Sequence, residues 1–146
     1  EMPGPCPVIC NDVVVDEVQI ARAKAFGANA VTIDVGVLGG AESEKLGDMV
    51  NAARALEMEV VAEVTDEEEA RAAVSAGATI VSVLGSAEPA EKYKVVSSLV
   101  EDEDDSKPKV CAVNHIQAKD DKALQEVEEA WISRDLGFHA VWVSDA

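Results

Sequence analysis

The chain has 146 residues, 48% hydrophobic and 28% charged, with 29 acidic residues against 12 basic. That length suits one domain, or a large piece of one, with enough chain to bury a core. The net charge of −17 speaks against sequence-independent nucleic-acid binding, which draws its affinity from cations on phosphates, and against docking on anionic lipid.

The apolar stock is 23 Val and 23 Ala against two Phe, two Trp and one Tyr. Valine favours strands and alanine favours helices, so alternating β and α elements are expected. Residues 7–10 form the first β-like run. Asp16 then caps a helix, with Gln19 three residues on as its capping-box partner. Phe26-Gly27-Ala28-Asn29 ends that helix and leads into a β run at 30–35. Leu46, Met49, Val50, Ala53 and Leu56 recur at helical spacing and predict one apolar stripe. A β run at 59–64 follows, and Thr65 with Glu68 reads as the capping box of the next helix. The acids Asp66-Glu67-Glu68-Glu69 suit that helix's positive end and call for no other role.

Ala76-Gly77-Ala78 returns the chain to a β run at 79–84, and Pro89 suits the first turn of a fourth helix. Residues 101–108 carry five acids in a row and predict an exposed, acidic loop. A β run at 109–113 follows. Leu124, Val127 and Trp131 then predict a helix with an apolar inner face, Glu126, Glu128 and Glu129 facing water. Leu136-Gly137-Phe138 repeats the glycine return into a last β run at 140–143. Trp131 and Trp142 read as core or interface anchors.

The β runs are mostly continuous rather than alternating, the habit of parallel strands buried on both faces. The expected fold class is therefore α/β, with right-handed (β/α) units in a single domain over 1–146. An open doubly wound sheet and a piece of a (β/α)8 barrel both fit. No G-x-G-x-x-G or P-loop follows a strand, and Gly36 and Gly39-Gly40 match neither spacing. Cys6, Cys10 and Cys111 are too few for a disulfide framework and read as small buried hydrophobes in a reducing compartment. Cys-x3-Cys is a poor zinc signature, so no metal and no cofactor is expected. No run approaches the roughly 20 apolar residues of a membrane span, and no signal-peptide pattern opens the chain.

Particular residues favour the barrel. Pro7-Val8-Ile9-Cys10-Asn11-Asp12, with Val15 and Gln19-Ile20 behind it, resembles the third strand and following helix of indole-3-glycerol phosphate synthases. Gly27-Ala28-Asn29-Ala30-Val31 resembles the approach to their fourth strand. Leu56-Glu57-Met58-Glu59-Val60-Val61-Ala62-Glu63-Val64 is similar to their fifth, and Ala76-Gly77-Ala78 to the approach to their sixth. The order and spacing extend the resemblance from barrel strand three to strand eight.

The resemblance implies a TIM barrel that closes an indole ring on an anilino sugar phosphate, using a cationic acid, a carboxylate base and a phosphate clamp. These groups would sit at the carboxyl ends of the strands. Only the strand-five glutamate is kept, as Glu63. The catalytic lysine of strand three is replaced by Asn11. The residues after strand six read Leu84, Gly85 and Ser86. The strand-seven phosphate motif reads Val113, Asn114, His115 and Ile116, and the strand-eight anion site reads Ser144 and Asp145. Each surviving group also has a plain structural reading: Glu63 as a solvated carboxylate at the barrel mouth, His115 as a histidine without nucleophile or metal ligands near it in sequence.

The expectation from these losses is a non-catalytic, synthase-like subunit with a structural, assembly or regulatory role in a larger complex. The alternative is a TIM-barrel lyase or synthase acting on a small phosphorylated or carboxylated substrate. Six strands cannot close an eight-stranded barrel, so other protein, basic where it meets the acidic loop, is expected to cover the two sheet edges. The expected setting is a soluble intracellular one, the plastid stroma if the source is a photosynthetic eukaryote.

Overall fold

The Val- and Ile-rich runs form six strands in the computed structural model, which describes residues 4–101, 109–118 and 123–144. In chain order the elements are β1 (Ile9–Cys10), α1 (Glu17–Ala25), β2 (Ala30–Asp34), α2 (Glu44–Ala55), β3 (Glu59–Val64), α3 (Glu67–Ala76), β4 (Ile80–Val83), α4 (Pro89–Val100), β5 (Cys111–Gln117), α5 (Ala123–Leu136) and β6 (Ala140–Ser144). Every strand pairs in parallel with the next one in sequence, giving the sheet order β1-β2-β3-β4-β5-β6. A doubly wound sheet reverses its order at a switch point. This sheet never does, so the fold is part of a (β/α)8 barrel.

Side-chain alternation then sorts the strands into two faces. Val31, Ile33, Val35, Val60, Ala62, Val64, Val81, Val83 and Ala112 pack with the helices, against Ile20, Leu46, Met49, Val50, Ala53, Ala70, Ala73 and Val96. Thr32, Asp34, Val61, Glu63, Ser82, Val113 and His115 alternate with them and line the concave face. The buried face of α2 is Leu46, Met49, Val50 and Ala53, and that of α3 includes Ala70 and Ala73. Gly77 closes α3 in the left-handed conformation, at φ 106°, which an L side chain adopts only under strain.

Several local expectations are corrected. The third helix begins one residue later than predicted. Asp66 is its N-cap, accepting from Glu69 N at 2.9 Å, and the Glu69 carboxylate reaches back to Thr65 N at 2.8 Å and Thr65 Oγ1 at 2.9 Å. Strand β5 runs to Gln117 rather than to 113, because Asn114 and His115 find side-chain partners and the ladder with β6 continues. Strand β1 is two residues long, having a neighbour on one side only among the described residues. Its position there leaves Cys6 exposed and Cys10 half-buried, and Cys111 is half-buried too.

The α5 stripe is reversed. Leu124, Val127 and Trp131 are 87%, 53% and 56% exposed, while Ser133 is fully buried and Glu126 and Glu129 are half-buried. Ser133 Oγ donates to Glu129 O at 2.6 Å and accepts from Asn114 Nδ2 at 2.8 Å, which turns this face of the helix onto β5. Most of the acidic loop, residues 102–108, lies outside the described residues.

Candidate functional site at the strand ends

The carboxyl ends of parallel strands collect polar groups because side chains there leave the packed layers. Register places Asp34 beside Glu63 and Glu63 beside Ser82. The Glu63 carboxyl is held above the ordinary carboxylate range, first by its burial and then by the nearby Asp34 charge. Across the mouth, His115 Nδ1 lies 3.7 Å from Glu63 Oε1.

Three contacts orient His115. Its Nε2 lies 2.6 Å from Ser144 Oγ. Its ring stacks on Trp142 with centroids 5.8 Å apart and planes 23° apart. Its backbone oxygen accepts from Lys92 Nζ at 2.6 Å. The imidazole is pushed below its ordinary value, chiefly by burial and then by the Lys92 charge. Burial thus disfavours the charged form of both Glu63 and His115. Two buried polar atoms here, Ser82 Oγ and His115 Nδ1, have no hydrogen-bond partner among the described residues.

The remaining positions separate. Asn11 sits at the end of β1 and accepts from Thr32 Oγ1 at 3.2 Å, so the amide in place of the family lysine is engaged within the protein. Leu84 N bonds to Val64 O, and Gly85 and Ser86 line a small recess with Lys92, Gln117 and Glu129. Asn114 is turned away from the mouth and buried against α5. Alternation settles this, since its neighbour His115 faces inward. Asp145 lies outside the described residues. The structure therefore brings together Glu63, His115 and Ser144, and adds Asp34, Ser82 and Trp142. These three additions were legible only as a strand-end pattern, because no short motif joins residues from five strands.

No lysine or arginine pairs with Asp34 or Glu63 among the described residues. Among the same residues, no cluster of three His, Cys, Asp or Glu is arranged to hold a metal ion, and no helix is long and apolar enough to cross a membrane.

Sequential parallel strands alternating with helices, in an order that never reverses, define a member of the (β/α)-barrel class. The family model described as "Indole-3-glycerol phosphate synthase" matches residues 4–85, more than half of the chain. The protein belongs to that family, as a divergent member. An indole-3-glycerol phosphate synthase from Thermoanaerobacter sp. is 35% identical over 77 residues, which are 53% of this chain and 28% of that protein. One from Leptospira interrogans is 31% identical over 96 residues, covering 66% of this chain and 36% of its own length. The "Indole-3-glycerol phosphate synthase 2" of Streptomyces coelicolor is 42% identical over 77 residues, 53% of this chain and 29% of its own length. The match thus spans about a third of these relatives or less. Among solved structures, the HpcH/HpaI aldolase from Desulfitobacterium hafniense superposes with a TM-score of 0.67 at 14% identity, covering 94% of this chain and 62% of the aldolase. That likeness shows the fold alone.

Proposed function

We propose that the mouth performs proton transfer in a reaction of the family's lyase or synthase class, with Glu63 as the base. The observation that carries this is the Glu63 carboxyl. It sits at the carboxyl end of β3, binds its proton more tightly than an exposed carboxylate, and faces His115 at 3.7 Å. A base with elevated proton affinity is suited to taking a proton from carbon or from a hydroxyl. Asp34 and Glu63 repel an anion, so the part of the substrate that reacts here is an uncharged carbonyl or hydroxyl. A phosphate or carboxylate elsewhere on the substrate would be gripped by protein that completes the barrel.

Such a completing segment is part of the same proposal. Exposed Val8 and Ile9 mark the β1 edge, and exposed Val141 and Val143 mark the β6 edge. Two further (β/α) units laid between those edges would bring the strand number to eight. A second reading, a synthase-like chain kept for assembly or regulation, is favoured by one observation: Asn11, which has no ionisable proton, stands in the lysine position and is engaged by Thr32.

The test is exchange of carbon-bound hydrogen in heavy water with dihydroxyacetone, followed by proton NMR. Exchange by the full chain that falls by about 100-fold or more in Glu63→Gln supports the enzyme. Absence of exchange, or exchange indifferent to Glu63→Gln, overturns it and favours the second reading.

A further inference from the structure

The concave face carries two buried polar atoms that have no hydrogen-bond partner among the described residues. Ser82 is fully buried on β4, the strand between Glu63 and His115, and its Oγ has no partner among the described residues. His115 Nδ1 is buried and equally without one. Buried polar atoms are almost always paired, so two orphans on one face mark a place where a ligand atom or water belongs. Glu63 Oε1 supplies an acceptor 3.7 Å from Nδ1, too far for a direct bond but close enough for one oxygen to touch both.

The ring's orientation is set from its far side. Ser144 Oγ at 2.6 Å engages Nε2. When that hydroxyl donates, the neutral ring carries its proton on Nδ1 and aims it into the mouth. Stacking on Trp142 removes the ring's freedom to turn.

We propose that Ser82, His115 and Glu63 form a binding subsite for one uncharged oxygen of a small hydroxycarbonyl compound, with Ser144 as a positioning residue. The ligand oxygen accepts from Nδ1–H, and its own hydrogen, when it is a hydroxyl, goes to the Glu63 carboxylate. Anions are excluded by Asp34 and Glu63. The groups facing His115 are Glu63 from β3, with Asp34 behind it on β2, Lys92 from α4 at the backbone oxygen, and Ser144 and Trp142 from β6. The cationic acid that the family places on its third barrel strand is thereby exchanged for an imidazole on β5. This subsite rests on the mouth being the working site, but its test is separate.

The chain has two histidines, and His139 serves as an internal control because its Nδ1 accepts from Ala112 N at 3.1 Å. The measurement is NMR of the ring protons and nitrogens of the full chain, titrated with dihydroxyacetone and separately with dihydroxyacetone phosphate. Expected are a saturable shift of His115 but not His139 with dihydroxyacetone, an apparent affinity at least about 5-fold weaker in Ser82→Ala, and weaker binding of the phosphate. Ser144→Ala should change the nitrogen shifts of His115 from the single-tautomer pattern to a mixed one. A His115 signal unmoved by dihydroxyacetone, a shift unchanged in Ser82→Ala, or tighter binding of the phosphate overturns the proposal. Hydrogen exchange that depends on Glu63 while His115 stays unmoved would sink this subsite alone. A saturable His115 shift without any exchange would sink the proton-transfer reading alone.

Discussion

Glu63 and His115 respond to pH in opposite directions, and both signs follow from their surroundings. Folded Glu63 binds its proton more tightly than the ordinary value of 4.5. Between that value and its raised one, the folded state carries the extra proton, so stability falls as pH rises through the window. Folded His115 binds its proton less tightly than the ordinary 6.5, so the stability it contributes is present above 6.5 and is lost as pH falls toward its lowered value. Glu63→Gln removes the first effect. Its melting temperature at neutral pH is expected to exceed that of the wild type, and the gap should close below about 4.5, as thermal melts across the pH range would show. The same residues bear on substrate. The resemblance to the family implies a lysine where Asn11 stands and anion-binding positions where Val113, His115, Ser144 and Asp145 stand. We predict no measurable binding of the anilino-deoxyribulose phosphate at physiological salt. Micromolar affinity by titration calorimetry would overturn this.

Elements are held in place by a few polar anchors set in an aliphatic core. Helix α5 docks through Ser133, whose replacement by Ala would strand the buried Asn114 amide. A loss of about 1–3 kcal/mol in urea unfolding is expected, the usual penalty for an unsatisfied buried polar group. The N-cap of α3 is a weaker anchor, and Asp66→Ala should cost about 1 kcal/mol. The α5-to-β6 joint is more demanding. Gly137 has φ 117°, and a Cβ there would lie 2.7 Å from Tyr93 Oη. The Tyr93 ring is set edge-on to Phe138, with centroids 5.4 Å apart, so it yields poorly. Gly137→Ala is expected to lose more than about 1 kcal/mol, because both backbone and space oppose the methyl.

At the scale of the whole molecule, the decisive feature is where apolar surface remains exposed. Leu124, Val127 and Trp131 on α5 and Val141 and Val143 on β6 are exposed, as are Val8, Ile9 and Phe26 in the β1–α1 segment. Arg134 stacks over Trp131 at 4.3 Å from the ring centroid and shields only part of it. Open edges expose rows of N–H and C=O groups that invite pairing. We propose that other protein covers both ends, and that any docking near the acidic segment weakens as salt rises. Residues 1–146 expressed alone are then expected to self-associate or to show fast amide exchange along Ala140–Ser144. A monodisperse monomer with a cooperative transition and slow exchange there would overturn this.

Much of the architecture could be read from local order. The valine runs, the glycine returns and the Asp16–Gln19 box each depend on contacts within a few residues, so composition and spacing reveal them. The family, too, was legible, because its strands and helix-to-strand joints keep their order and spacing in this chain. What spacing could not decide was which face each polar residue takes. His115 looked isolated because its partners, Glu63 and Ser144, are 52 and 29 residues away. Asn114 looked like a mouth residue until α5 claimed it, and the Leu124–Val127–Trp131 stripe looked like core until Ser133 turned the helix. Periodicity measures how apolar a face is, whereas its direction is set by whichever neighbour offers the best-satisfied contacts, and only the assembled tertiary structure supplies that neighbour.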